Sequence, residues 1–343
     1  MAHGDFTVLL SVHFMRFLAA FAVVVHHSAY YFGSTITVGA AGVDIFFVIS
    51  GVVIGYATKD GDSVWAFCLK RIIRVMPLYW LATIVYSGFK YFEWSQIPTT
   101  ESTVRSMLLV PIFGTDWHPI YWPAWTLGYE LFFYSLYALL LAAFSKNVTL
   151  ICALIISFIS VILIPVPGAE HVFVDNRLYF EFALGLVVAE FIKNGGRVSQ
   201  QFGMACAIIA IIIFSLNYKS NGIERALAWG VPSLLLVIGA FGLESSALLK
   251  SKIAILLGNA SYSIYLFHIT TIEFMLETLK RHGATTEILK EYQIVSIVAL
   301  STSSIAVGIF LHIVIERPLL RALRRAVFTP LTRARAGTAL SQL

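Results

Sequence analysis

The sequence predicts an all-α, polytopic membrane protein of about ten transmembrane helices with both termini in the cytosol. Three observations carry that prediction. Of 343 residues, 58% are hydrophobic and only 13% charged, whereas a soluble domain carries roughly a quarter charged residues. Apolar stretches recur along the whole chain, each near the length that spans hydrocarbon. Lysine and arginine then fall unevenly on alternate connections, which is how membrane orientation is encoded.

Taken in order, the apolar segments run approximately 8–32, 41–58, 74–92, 123–145, 148–166, 178–193, 202–217, 226–243, 254–277 and 292–315. The second, sixth, seventh and eighth are short or interrupted by glycine. With the N-terminus inside, Lys59, Lys70, Arg71, Arg74, Lys146, Lys193, Arg197, Lys250, Lys252 and the arginines from Arg317 onward lie on the inner face. Fewer, among them Lys90, Arg105, Arg177, Arg225 and Arg281, lie outside. The net charge of +5 is therefore topogenic and does not point to nucleic acid. The first segment has no charged leader and is interrupted by Arg16, so it is expected to be a retained helix. Cys68, Cys152 and Cys206 have no metal or disulfide spacing. Residues 1–320 are expected to form one transmembrane domain, and 321–343 a basic, partly disordered cytosolic tail resting on anionic lipid.

Within this frame a few polar residues stand out. Arg16 and His27 lie eleven residues apart in the first segment. At 100° per residue they share one helical stripe, about 16 Å apart. Ionisable groups at membrane depth mark functional sites by default, although Arg16 at one interface and His27 at the other also fits. Asp44 enters the second segment at about the level of His27, where it can orient an imidazole or simply cap a helix N-terminus. Ser50-Gly51 allows close helix approach. Arg71 and Arg74, three apart, share a face at the inner surface and can fork onto phosphate, or serve as a plain positive stop. The loop from Glu93 to Trp122 carries Trp94, Trp117, His118, Tyr121 and Trp122, which fits a sugar platform or an interfacial aromatic belt. Trp125 leads the fourth segment, and Glu130 lies about two turns beyond its start, where a carboxylate must neutralise or find a partner such as Arg16, Arg177 or a histidine. Ser261, Tyr265 and His268 fall at i, i+4 and i+7 on the ninth segment, giving it a polar face that lines a cavity or glues helices. Glu316-Arg317-Pro318 closes the tenth segment as an anchor.

Together these stretches resemble the membrane acyltransferase-3 family along essentially the whole chain. The matching residues are Arg16 and His27, the GVDIFFVISG of 42–51, Arg71 and Arg74, the PLYWL of 77–81, the WTLGYE of 125–130 and the GNASYSIYLFHI of 258–269. One departure is that Leu131, Phe132 and Phe133 follow Glu130, where members often have glutamine or another polar residue. His26 beside His27 does not keep the ten-residue gap from Arg16. The resemblance implies acyl transfer, usually of acetyl, from cytosolic acyl-CoA to a hydroxyl of a glycan or lipid-linked sugar. It also implies a bundle of about ten helices without a permanently bound cofactor or metal. The chain, lacking the esterase-like domain of some members, is expected to sit near stand-alone exopolysaccharide O-acetyltransferases of the bacterial inner membrane.

On that resemblance Arg71 and Arg74 would bind acyl-CoA, and His27 would act as general base or transient acyl carrier. Arg16 would meet the pantetheine or the thioester oxygen, and Asp44 or Glu130 would orient the imidazole. Trp125, Ser261, Tyr265 and His268 would line the cavity or meet the acceptor. The expected partners are acyl-CoA, a glycan or lipid-linked oligosaccharide, and membrane lipid. A polytopic transporter of a glycan or lipid-linked sugar is the alternative, but the half-repeats common in transporters are not evident here.

Overall fold

The computed structural model describes residues 9–35, 37–109, 119–162, 176–216 and 225–340, and no strand occurs among the described residues. The helices are α1 (Leu10–Tyr30), α2 (Gly42–Ala57), α3 (Val64–Trp94), α4 (Thr100–Leu108), α5 (Trp125–Ala143), α6 (Val148–Ile162) and α7 (Tyr179–Lys193). They continue with α8 (Gln200–Leu216), α9 (Val231–Phe241), α10 (Lys252–Arg281), α11 (Thr286–Glu291), α12 (Gln293–Leu311) and α13 (Arg317–Leu340). Side chains start several of them. Ser63 accepts a hydrogen bond from the Ala66 amide and Ser251 from that of Ala254, satisfying donors that a first helical turn leaves free.

Every predicted apolar segment is helical over most of its length, but the helices divide into two groups. Among the described residues six are long and apolar enough to cross a membrane: Leu10–Tyr30, Val38–Ala57, Val64–Trp94, Trp122–Ala143, Lys252–Arg281 and Gln293–Phe328. Among the described residues the others are shorter, with α7 at 15 residues. Fifteen residues rise only about 22 Å, less than the hydrocarbon thickness. Glycine shortens α7, which ends just before Gly195 in a left-handed turn at φ +84°. The eighth segment opens with a π-turn, Ala226–Gly230, ahead of Pro232. From Arg317 the chain is helical through Leu340.

α10 is the central element, buried without interruption from Ala260 to Ile272. α1 lies alongside it, and Gly258 of α10 sits against the backbone of His13, where a Cβ would come within 2.5 Å of the His13 carbonyl oxygen. α2 and α7 cross more closely still at Gly51 and Gly185, an approach that only small residues permit. The Ser50-Gly51 expectation holds there. Stacked rings seal the layer beneath, with Phe182 at 4.7 Å from Phe47 and 4.6 Å from Phe133 between centroids.

α1, α3 and α10 run in the same direction. At their C-terminal ends Glu273 accepts a hydrogen bond from Tyr31 (3.0 Å) and pairs with Lys90 (3.1 Å), while Arg281 pairs with Glu93. Their N-terminal halves carry Arg16, Arg71, Arg74 and Ser261, which places the basic residues at the opposite end of the bundle.

Candidate active site

A cavity of about 760 Å³ lies between α1, α2, α3, α5, α10 and the start of α13. Its polar lining comes from His13 and Arg16, Ser50, Lys70 with Arg71 and Arg74, Thr126 with Glu130 and Tyr134, Asn259 with Tyr262 and Tyr265, and His312 and Arg317 with Arg321 and Arg324. Against this set of cations the lining offers one carboxylate, Glu130. Such an imbalance in a recess walled by low-dielectric protein concentrates anions.

The arginines are held in different ways. Arg74 forms an ion pair with Glu316. Glu316 is 1% exposed and also accepts hydrogen bonds from Ser263 and His312, each at 2.7 Å. A carboxylate at that depth needs such a full set of donors to remain charged. The π-turn His312–Glu316 presents residues 312 and 316 to each other. The sequence had suggested only an anchor at Glu316; its partners, on α3, α10 and the turn, are not adjacent in sequence. Arg71 differs: its guanidinium lies over the rings of Phe67 (5.5 Å) and Tyr134 (5.9 Å), and its buried Nε has no hydrogen-bond partner among the described residues. Arg16 donates from Nε to Ser261 Oγ at 3.3 Å.

Above the cavity lies a pair of imidazoles. His27 Nδ1 and His268 Nε2 are 2.9 Å apart, and His268 Nδ1 is 2.5 Å from the carbonyl oxygen of Tyr265. A carbonyl can only accept, so His268 carries a proton on Nδ1. With both rings neutral, His268 Nε2 accepts from His27 Nδ1, which leaves Nε2 of His27 unprotonated. Two hydrogen bonds thus fix the tautomer that a base or nucleophile requires. The indole of Trp122, 37% exposed, stands edge-on to His27 at 5.1 Å.

Arg16 and His27 both meet α10, at Ser261 and His268, but several expected partnerships differ. Asp44 does not reach the imidazole: it is fully buried and binds Arg225 through both oxygens, at 3.2 Å to Nε and 2.9 Å to Nη2. Glu130 accepts from Ser50 (2.7 Å) and Tyr134 (2.9 Å), hydroxyls where a cation had been expected. Of the expected lining residues only Tyr265 lines the cavity. Trp125 packs against Tyr129, Ser261 stands behind Arg16, and His268 orients His27. Tyr121 is fully buried against Tyr86 and offers no platform; Trp117 and His118 lie outside the described residues. His27 is also not among the lining residues. The cavity ends at Phe46, Thr126 and Tyr265, and His268 follows Tyr265 by one turn of α10.

These features define a helical integral membrane protein in which a polybasic, anion-collecting cavity ends near a pair of hydrogen-bonded imidazoles. The family model described as Acyltransferase domain matches residues 9–313, and the chain belongs to this acyltransferase-3 family. It is 29% identical over 306 residues to the exopolysaccharide production protein ExoZ of Rhizobium meliloti (strain 1021), covering 86% of this chain and 94% of that one. It is 26% identical over 334 residues to the acyltransferase MdmB of Streptomyces mycarofaciens, covering 84% and 83%. No solved structure matches the chain.

Proposed function

We propose that this acyltransferase moves an acetyl group from cytosolic acetyl-CoA to a hydroxyl of an exopolysaccharide or related envelope glycan at the bacterial inner membrane. Acetyl-CoA is a substrate, and the chemistry needs no resident cofactor. The observation that carries the reading is the alignment of the cationic cavity with the His27–His268 pair at its far end. On a topology of about ten spans with cytosolic termini, which is part of this proposal, the arginines lie on the cytosolic side and His27 toward the outer one, in keeping with the positive-inside distribution.

Each residue then has a task. Arg71, with its unpaired buried Nε, and Arg74, aimed by Glu316, hold phosphate oxygens of the donor. The pantetheine arm extends past Phe46 and Phe47 toward Tyr265. Arg16 offers its positive charge to the thioester carbonyl as it becomes an oxyanion. Nε2 of His27 takes the proton of the sugar hydroxyl, the oxygen attacks the thioester carbon, the C–S bond breaks, and the sulfur leaves as CoA thiolate to be protonated from the imidazolium. The same lone pair serves a route through acyl-histidine. Tyr265, whose ring is 5.7 Å from His268 and whose hydroxyl is held by Thr126 and the Pro123 carbonyl, must yield for the thioester to reach His27. Trp122 gives a sugar ring a surface beside the base. The exopolysaccharide-production relative supports a glycan acceptor.

Mass analysis of envelope polysaccharides tests the reading: a strain lacking the protein loses O-acetyl groups that the wild-type gene restores, and unchanged acetylation refutes it. Arg71→Ala is expected to raise KM for acetyl-CoA about tenfold or more with kcat largely retained, as read by transfer of labelled acetyl in isolated membranes. His268 is a positioning residue. His268→Ala should lower kcat about a hundredfold while leaving KM for the donor in place, and His268→Gln, whose amide oxygen can still accept from His27 Nδ1, should recover part of the loss.

A further inference from the structure

The sequence presents the arginines of the C-terminal helix as topogenic charges, yet the structure turns three of them into the cavity. Arg317, Leu320, Arg321, Arg324 and Phe328 line it, at i, i+3, i+4, i+7 and i+11 along one face of α13. Arg325, the neighbouring charge, does not. Arg317, Arg321 and Arg324 are exposed at the cavity mouth, and no ion pair among the described residues engages them. Deeper in, Arg74 is already matched by Glu316, and the lining carboxylate Glu130 is bound to Ser50 and Tyr134. The mouth therefore keeps a cationic excess beyond what Arg71 and Arg74 present to a pyrophosphate.

We propose that Arg321 and Arg324 of α13, with Arg317 beside them, bind the 3′-phosphate of the CoA donor and make the enzyme select CoA over its 3′-dephospho form. This inference rests on the acyl-CoA reading above and extends it to a specific group of the donor. The order of groups along the ligand matches the order along the cavity. The thioester and apolar arm lie toward Phe46, Phe47 and Tyr265, the pyrophosphate meets Arg71 and Arg74, and the adenosine phosphate, last to enter, remains at the mouth. A phosphomonoester carries about −1.5 to −2 charges at neutral pH and three acceptor oxygens, a good match for paired guanidinium forks. Phe328, one turn beyond Arg324, lines the same part of the cavity. An anionic lipid headgroup shares this phosphate chemistry, but a lipid-facing stripe would not be turned into the cavity.

The test uses the full-length protein in nanodiscs of neutral lipid and measures displacement of radiolabelled CoA by CoA and by 3′-dephospho-CoA. Wild type is expected to prefer CoA by about tenfold or more, the effect of charge-assisted contacts to one phosphate. In the Arg321→Gln/Arg324→Gln variant the preference should shrink to about threefold or less because affinity for CoA alone falls. Arg325→Gln, the same charge change off the cavity face, should keep the wild-type ratio. Equal binding of the two nucleotides by wild type overturns the proposal while leaving the donor reading intact. So does an equal loss of both in the double variant, or an effect of that variant confined to discs containing anionic lipid. If neither nucleotide binds wild type, the donor reading fails, and this proposal with it.

Discussion

His27→Ala is expected to abolish glycan O-acetylation while the protein still accumulates in the membrane. General-base catalysis typically contributes 10²- to 10⁴-fold, and the loss should be at least of that order. The substitution leaves the acceptor at His268 Nε2 without its 2.9 Å donor, a cost of about 1–3 kcal/mol that a bundle of this size withstands. His26 provides the contrast. It sits on the next position of α1, packs beneath the turn at Gly39, and lies off the stripe shared with Arg16. His26→Ala should therefore retain most of the activity. Comparing labelled acetyl incorporation in membranes matched for protein content separates the two histidines.

The second large effect is on folding. A Cβ at Gly185 would lie 2.0 Å from the carbonyl oxygen of Val48 and 2.9 Å from Cα of Gly51. Both obstacles are backbone, so no side-chain rotation relieves them, and α2 and α7 must separate. Gly185→Val should destabilise the bundle by about 3 kcal/mol or more, since overpacking costs are compounded by loss of the interface. Membrane abundance and thermal unfolding in detergent should both fall. Gly88→Ala on α3, where nothing lies within 4 Å of the added carbon, should leave both measures at wild type. The same crossing carries Ser50, which holds Glu130, so the packing defect also reaches the cavity wall.

How far the sequence reveals this molecule depends on whether the signal is carried by one helix or by the meeting of two. Helices are legible because apolar runs in a polytopic chain have few other ways to satisfy their backbone. The Arg16–His27 stripe is legible because helical periodicity fixes their relative azimuth whatever the neighbours. The polar face of Ser261, Tyr265 and His268 was equally legible, but which helix it would meet was not. His268 was therefore expected to line a cavity, while the role of orienting His27 was assigned to Asp44 and Glu130. Depth along the membrane suggested Asp44, but its azimuth on α2 sends it to Arg225. Glu316 looked like an anchor because two of its three partners, Arg74 and Ser263, come from segments distant in sequence. For Arg321 and Arg324, one residue type satisfies two requirements, topology and anion binding, and only the facing of α13 distinguishes them. The short helices show a further limit: segment length in sequence marks an apolar run, whereas glycines and a π-turn set where the helix stops.

The central claim is that a donor entering at the arginines delivers its acyl group to a hydroxyl waiting at His27 on the opposite side. Sealed, uniformly oriented vesicles test it directly. Labelled acetyl-CoA is supplied only to the face bearing Arg71, and glycan from a strain lacking the protein is enclosed on the other side. Label should appear on the enclosed glycan with wild type and be absent with His27→Ala. Equal labelling by the His27→Ala protein, or transfer only when donor and glycan share a face, would contradict the account.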